Sequence, residues 1–196
     1  MSSFEYLIAL VSVIAGLGIT RTLSGIARLV DYRSQIVFSW IPIVWTINVL
    51  LWLVAFWWFT FLLSGLEVWS PWLHIFVLVY AGVIFFLLAL LHPESIGAGF
   101  DMFEHFLENR KMFFGALIVT ATIDVLDTFI KDHLGLPAPD LYIYCTFLLI
   151  WITIGAIALY SGHRAIHAAC ALIFLVILTM WISLMITGLL DNSYIA

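Results

Sequence analysis

Two aspartates lie three residues apart inside a long apolar run, VTATIDVLDTFIKDH. A carboxylate inside a bilayer is costly, so such a residue is paired with a cation, faces water or carries a proton. The first of the two, Asp124, has threonine hydroxyls four residues away on either side, on the same helix face. We predict that Asp124 binds an ion or a proton, with three supporting polar residues: Thr120, Thr128 and, from another span, Asn48. The structural alternative is a carboxyl group that is protonated or bonded to a polar group such as Asn48.

The second aspartate has a cation within its own helix. Asp127 precedes Lys131 by four residues, and this order, with the acid first, is the favourable one for a helical ion pair. We therefore predict that Asp127 and Lys131 form a structural ion pair.

The arginines of the first apolar run offer a further set of charges. Arg28 is expected to extend its side chain toward the lipid headgroups. Arg21 lies deeper, where an ion pair is possible, and by depth its candidate partners are acidic residues of the third connection: Glu94, Glu104 and Glu108.

Histidines form a third group. His163 and His167 are spaced like two metal ligands on one helix face, and His92 and His105 map to the same side of the predicted bundle. The sequence offers these four as metal ligands, and the alternative is that they are interfacial side chains in contact with water. A membrane di-iron enzyme would need more histidines, in repeated boxes, than the six that this chain has.

The composition defines the class of protein. Hydrophobic residues make up 65% and charged residues 10% of the 196 residues, against about half and about a quarter in soluble domains. We therefore predict an integral membrane protein with the lipid bilayer as its surroundings. No basic patch or phosphate-binding loop occurs, so nucleic acid is not an expected partner, no cofactor is expected, and a non-enzymatic role is favoured.

Six apolar runs are long enough to cross a bilayer. They predict an all-α, six-transmembrane-helix bundle in a single domain, with helices at about 4–30, 38–63, 72–92, 112–131, 141–160 and 166–190. Six of the seven Lys and Arg residues fall at one end of this bundle. By the positive-inside rule that end is cytoplasmic, so both termini are predicted to lie outside.

Two further patterns concern packing. Residues 100–111, FDMFEHFLENRK, alternate apolar and charged faces and predict a short amphipathic interfacial helix before the fourth span. Small side chains recur every four residues in two rows, which predict close helix contacts inside the bundle or, alternatively, between copies of the chain. The first row is Ser12, Gly16, Thr20, Ser24 and Arg28, with Gly18 and Gly25 close by, and the second is Ala116, Thr120, Asp124 and Thr128.

Three segments carry a resemblance: FEYLIALVSVIAGLGITRTLSG near the start, FWW at residues 56–58 and ENRKMFFG entering the fourth span. Together they resemble an uncharacterised family of small bacterial polytopic membrane proteins of about this length. The resemblance implies a multi-pass protein of the bacterial inner (plasma) membrane and implies no activity.

Three functions follow as hypotheses. The first is an oligomeric channel or transporter for an ion, proton or small solute that uses Asp124. The second is a non-transporting scaffold, sensor or accessory subunit that binds a partner membrane protein, with residues 100–111 as part of the contact. The third is a metal- or haem-dependent membrane oxidoreductase that uses the histidines.

Overall fold

The computed structural model describes residues 2–66, 68–136 and 141–190. Within these residues the chain is all-α, as predicted, and forms six helices and one short 3₁₀ turn, Phe61–Gly65. The helices are α1 Ser3–Asp31, α2 Trp40–Thr60, α3 Pro71–Leu91, α4 Met102–His133, α5 Leu141–Tyr160 and α6 Arg164–Leu190.

Five of the helices in the described part of the chain are long and apolar enough to cross a membrane. They are α1, α2 with the 3₁₀ turn that follows it, α3, α4 and α6. The remaining helix, α5, is also apolar, but its apolar segment, Tyr144–Tyr160, is shorter than those of the other five. The molecule is thus an apolar helical bundle of the kind that multi-pass membrane proteins form.

The structure differs from the prediction at the start of α4. Instead of a separate interfacial helix, the predicted 100–111 segment continues without a break into one helix of 32 residues. The helix begins at Met102 because the Asp101 carboxylate accepts the free N–H groups of Phe103 at 2.8 Å and Glu104 at 3.1 Å. At about 1.5 Å per residue α4 is about 48 Å long, which exceeds a hydrocarbon core of about 30 Å.

The apolar side of this first part of α4 packs inside the bundle. Phe106 is buried and meets the rings of Phe113, Phe114 and His167 at 5.4–5.9 Å. The amphipathic pattern was therefore predicted at the right place, but its apolar face contacts α6 and its own helix.

Successive helices run in opposite directions, so their connections gather at two ends of the bundle. At one end the α1–α2 and α3–α4 connections hydrogen-bond to each other, from Gly99 N–H to Gln35 O and from Val37 N–H to Phe100 O, both at 2.8 Å. The start of α6 reaches the same end, where Arg164 donates to Ser39 at 3.3 Å. We call this the arginine-rich end, and the opposite end, where α4 finishes, the lysine end.

The helices are layered around α2, α3 and α4. In the described residues α3 packs against α1, α2 and α4, while α4 also packs against α5, and α2 against α6. This arrangement places one face of α4 in the interior, where three helices surround it. That face carries the second of the two predicted rows.

The two rows of small residues differ in burial. Thr120, Asp124 and Thr128 are buried in α4. In α1, by contrast, the predicted row of Ser12, Gly16, Thr20 and Ser24 is exposed. The prediction of internal packing is therefore wrong for these four residues but confirmed for Gly18 and Gly25, because α1 turns inward the following residues: Leu7, Val11, Ala15, Gly18, Thr22 and Gly25.

Candidate functional site: a buried carboxyl group on α4

Asp124 lies on the interior face of α4, in the half of the helix nearer the lysine end. It is 6% exposed, and the neighbouring threonines on the same face, Thr120 and Thr128, are 0% and 5% exposed. The position follows from helical periodicity, since residues four apart stack on one face. A carboxyl group is thus held inside the bundle on a rigid element.

Three helices contribute to one chain of hydrogen bonds that ends at this carboxyl group. Trp52 of α2 donates its indole N–H to the Tyr80 hydroxyl of α3 at 3.1 Å, and that hydroxyl donates to Asp124 Oδ1 at 2.5 Å. An indole N–H can only donate, so the Tyr80 oxygen accepts from Trp52 and its own O–H is directed to Asp124 Oδ1. The Tyr80 hydroxyl therefore uses its one proton in the hydrogen bond to Asp124.

The second oxygen of the carboxyl group is different. Asp124 Oδ2 is buried, and no hydrogen-bond donor meets it among the residues that the structure describes. A buried carboxyl oxygen without a donor is where an acidic proton is most readily accommodated, because a bare charge there would lack compensation. The site consequently has one oxygen held by Tyr80 and one oxygen available to a proton.

The three polar residues predicted to support Asp124 do not converge on it. The Thr120 hydroxyl donates to Ala116 O of its own helix at 2.8 Å. Asn48 donates to Ala171 O of α6 at 3.0 Å. Thr128 is buried one turn beyond Asp124 on the same face. Among the described polar residues of other helices, Tyr80 meets Asp124 directly and Trp52 does so through Tyr80.

The ion pair predicted at the end of α4 is present. Lys131 Nζ lies 2.5 Å from Asp127 Oδ2, and the two side chains are only 8% and 15% exposed. The pair lies on the same helix as Asp124, and both of its charges act electrostatically on that carboxyl group. A carboxyl group and an ion pair therefore form one cluster at the lysine end.

The arginines of α1 lie at the opposite end of the bundle. Arg21 donates to His92 O at 3.2 Å and pairs with Glu94 at 3.2 Å, although that glutamate is 84% exposed. Arg28 donates to Pro93 O at 3.0 Å. Carbonyl groups at a helix C-terminus lack partners within the helix, so these arginines bind the end of α3 to α1. The other two predicted partners, Glu104 and Glu108, are exposed.

His92 is buried between α1 and α2 at the same end. The Thr46 hydroxyl donates to Pro42 O at 2.9 Å, so its oxygen is the acceptor for an Nε2–H of His92 at 3.2 Å. Burial, followed by the positive charges of Arg28 and Arg21, lowers the pKa of His92 from 6.5 to about 4. The ring fits only because the facing residue of α1 is glycine: a Cβ on Gly25 would lie 2.5 Å from Nδ1.

The remaining predicted metal ligands lie in separate environments. His167 is buried among phenylalanine rings, with Nε2 3.0 Å from Ser161 O, whereas His163 is exposed. His105 lies near Asn109, at 3.5 Å. His92 and His105 line one small cleft, but the described residues contain no group of three His, Cys, Asp or Glu side chains that could hold a metal ion.

The sequence reasoning missed Tyr80 and Trp52. Tyr80 is the only residue of α3 with a side-chain hydroxyl, and a buried tyrosine hydroxyl generally needs a partner, so the sequence did contain a signal for it. Trp52 is one of five tryptophans in α2, and no sequence feature separates it from the others. Only the packing of α2 against α3 selects it.

Fold and site together define the class: an apolar helical bundle with helices long enough to cross a membrane and an interior carboxyl group held by hydrogen bonds between helices. Comparisons with known protein families, curated proteins and solved structures find no match to this chain.

Proposed function

We propose that this chain is a multi-pass membrane protein that binds and moves protons, with Asp124 as the proton-binding group inside the membrane. The observation that carries the proposal is the asymmetric carboxyl group, with Oδ1 2.5 Å from the Tyr80 hydroxyl and Oδ2 buried without a donor among the described residues. Ionisable residues inside membrane spans typically mark ion or proton pathways. Asp124 has the burial and the rigid setting of such a residue.

A proton fits this site better than a metal cation. Hard cations such as Ca²⁺ bind six to eight oxygen ligands, and binding would require the neighbouring hydroxyl and amide oxygens to face Asp124. Thr120 donates into its own helix and Asn48 bonds α6. The contact that the structure shows at the carboxyl group is the Tyr80 hydroxyl, and this pair is suited to a proton.

The scaffold or accessory function has less support. Its proposed contact was the amphipathic segment 100–111, and the apolar side of that segment packs against the bundle through Phe106. A partner would have only the charged side, which includes the exposed Glu104 and Glu108. An oxidoreductase would need a metal or haem site, and of the four candidate histidines only His92 and His105 line one cleft, whereas His167 lies among phenylalanine rings and His163 is exposed.

The cellular setting belongs to the proposal. The resemblance noted from the sequence favours the bacterial inner membrane, with the arginine-rich end in the cytoplasm. Self-association into an oligomer, or binding to a partner membrane protein, likewise stays a proposal. The exposed α1 row would be available for such a contact.

Proton flux into proteoliposomes tests the function. We expect the wild type to carry protons and Asp124→Asn to fall to the rate of empty vesicles. Asparagine keeps an oxygen that can accept from Tyr80 but has no acidic proton. The matched control is Asp132→Asn, which removes an exposed carboxylate from the same helix and should leave the flux unchanged.

Two outcomes would contradict the proposal. One is wild-type protein that is folded, by circular dichroism and size-exclusion chromatography, yet carries no protons. The other is undiminished flux in Asp124→Asn.

A further inference from the structure

The Asp127–Lys131 pair is unusually well enclosed for an ion pair near a helix end. Exposed ion pairs in proteins contribute little to stability, whereas these side chains are only 8% and 15% exposed. An enclosed ammonium group must keep a counter-ion, and Lys131 has more than one carboxyl group within its electrostatic reach. Asp127 holds it directly, and Asp124 lies three residues further back along α4.

The charges of the cluster formed by Asp124, Asp127 and Lys131 balance only when one proton is present. Lys131 is the only Lys or Arg at this end, since the other six of the seven lie toward the arginine-rich end. It cancels Asp127 and leaves Asp124 as an additional carboxyl group. The cluster is therefore neutral when Asp124 is protonated and carries one negative charge when it is not.

The helices that pack against α4 do not change this balance. Tyr80 of α3 faces Asp124 with a hydroxyl group, and α2 contributes the Trp52 indole through it. Neither α2 nor α5 contains Asp, Glu, His, Lys or Arg, and the one such residue of α3, His74, has Nδ1 3.1 Å from Ser70 O at the start of that helix. Asp127 and Lys131 are thus the charged groups that act on Asp124.

The direction of helical side chains points the ammonium group of Lys131 back along α4, toward Asp127 and the turn beyond it. Side chains in an α-helix lean toward its N-terminus. Lys131 therefore extends back over the turn that carries Asp127, and Asp124 lies on the next turn in the same direction. Lysine has a flexible stem and a compact charge, so it can exchange one carboxylate for another.

We propose that Lys131 is an exchangeable counter-ion and Asp127 the proton relay between Asp124 and the lysine end. The O–H bond at Asp124 breaks, the proton forms an O–H bond at Asp127, and the ammonium group moves from Asp127 to the new carboxylate at Asp124. The step moves one proton and leaves the net charge of the cluster unchanged. Its role in transport rests on the proposed function, whereas the exchange of counter-ion can be measured without any flux.

Infrared spectroscopy of the purified protein at neutral pH provides the direct test. A protonated carboxyl group has its own C=O stretching band, and loss of that band in Asp124→Asn assigns it. In Asp127→Asn, Lys131 has lost its partner and should pair with Asp124, so we expect the Asp124 band to lose most of its intensity. In the double variant Asp127→Asn with Lys131→Met the band should return, because no cation remains to hold the carboxylate.

The double variant also supplies the functional measurement and a safeguard for folding. Its charges balance, so it should fold even if Asp127→Asn does not. It should keep the Asp124 band yet carry no protons, because both relay groups are gone. An Asp124 band of wild-type intensity in Asp127→Asn, or wild-type flux in the double variant, would overturn the proposal.

The two proposals fail in different ways. If Asp124 is not the transporting group, then the wild type carries no protons or Asp124→Asn carries them as the wild type does. The band in Asp127→Asn still reports whether Lys131 changes partner. A strictly structural pair would leave the Asp124 band unaffected, since Lys131 would not reach that carboxyl group.

Discussion

The two ends of the bundle use charged and titratable residues in opposite ways. At the arginine-rich end, Arg21 and Arg28 donate to carbonyl groups at the end of α3, and His92 is held neutral beside them. At the lysine end Lys131 pairs with Asp127, and Asp124 Oδ2 is left without a donor among the described residues.

This difference follows from side-chain length. An arginine side chain is long enough to reach a helix end or the headgroups from inside a span, so its charge can be satisfied without a specific buried partner. An aspartate has a short side chain and cannot reach the surface from the middle of α4. The arginine-rich end therefore holds helices together, whereas the lysine end retains a group whose protonation can change.

The largest effect that this comparison predicts is at Gly25. A methyl group there would lie 2.5–2.8 Å from three atoms of His92, including its Cβ, so the helices must separate. We expect Gly25→Ala to lower the free energy of unfolding by about 3 kcal/mol, measured by thermal or denaturant unfolding in detergent. The matched control is Gly16→Ala, where nothing lies within 4 Å. If both variants are equally stable, the arginine-rich end is not held by this contact.

A smaller effect is expected at Tyr80. Tyr80→Phe removes the hydroxyl and leaves both the Trp52 N–H and Asp124 Oδ1 without a partner. Unsatisfied buried groups of this kind cost about 1–3 kcal/mol, and we expect a loss of about 2 kcal/mol in the same unfolding assay. Tyr6→Phe, at an exposed position on α1, is the control. An unchanged stability in Tyr80→Phe would mean that the hydroxyl does not hold the carboxyl group.

The smallest effect is a pH dependence from the arginine-rich end. His92 has a pKa of about 4 in the folded protein and about 6.5 when unfolded, so the unfolded state binds more protons between these values. The contribution of His92 to the free energy of unfolding is fully present above its pKa in the unfolded state. It decreases as the pH drops toward its pKa in the folded state. From about pH 7 to about pH 5.5 the loss is about 1 kcal/mol.

Replacing His92 separates its contribution from that of the lysine end. In His92→Asn this part of the pH dependence should disappear, whereas in His163→Asn, at an exposed position, it should persist. A pH dependence that is unchanged in His92→Asn would mean that the imidazole titrates normally in the folded protein.

Much of the architecture was predictable because it depends on local sequence. Long apolar runs, separated by turn residues, gave the helices, and the spacing of Asp127 and Lys131 gave an ion pair that forms within one helix. The start of α4 was less predictable. Phe100–Lys111 and the following apolar run differ in composition, yet the Asp101 cap and the packing of Phe106 join them into one helix.

The two rows of small residues show where local pattern stops being informative. Both rows have four-residue spacing and similar residue types. Such a row indicates only that one face of the helix carries small side chains. Whether a neighbouring helix covers that face depends on the arrangement of the whole bundle. The bundle covers the α4 row from three sides, whereas α1 meets its neighbours through the face with Gly18 and Gly25.

By itself, the sequence determined that the protein is an apolar helical bundle, that its arginines gather at one end, and that an acidic residue lies within an apolar helix. Tertiary structure alone decided that Tyr80 and Trp52 hold Asp124, that Asn48 does not, and that Arg21 and Arg28 bind carbonyl groups. The physical reason is that burial and helix periodicity are properties of nearby residues. A hydrogen bond between helices depends on the rotation and depth of each helix, and these are set by packing along the whole chain.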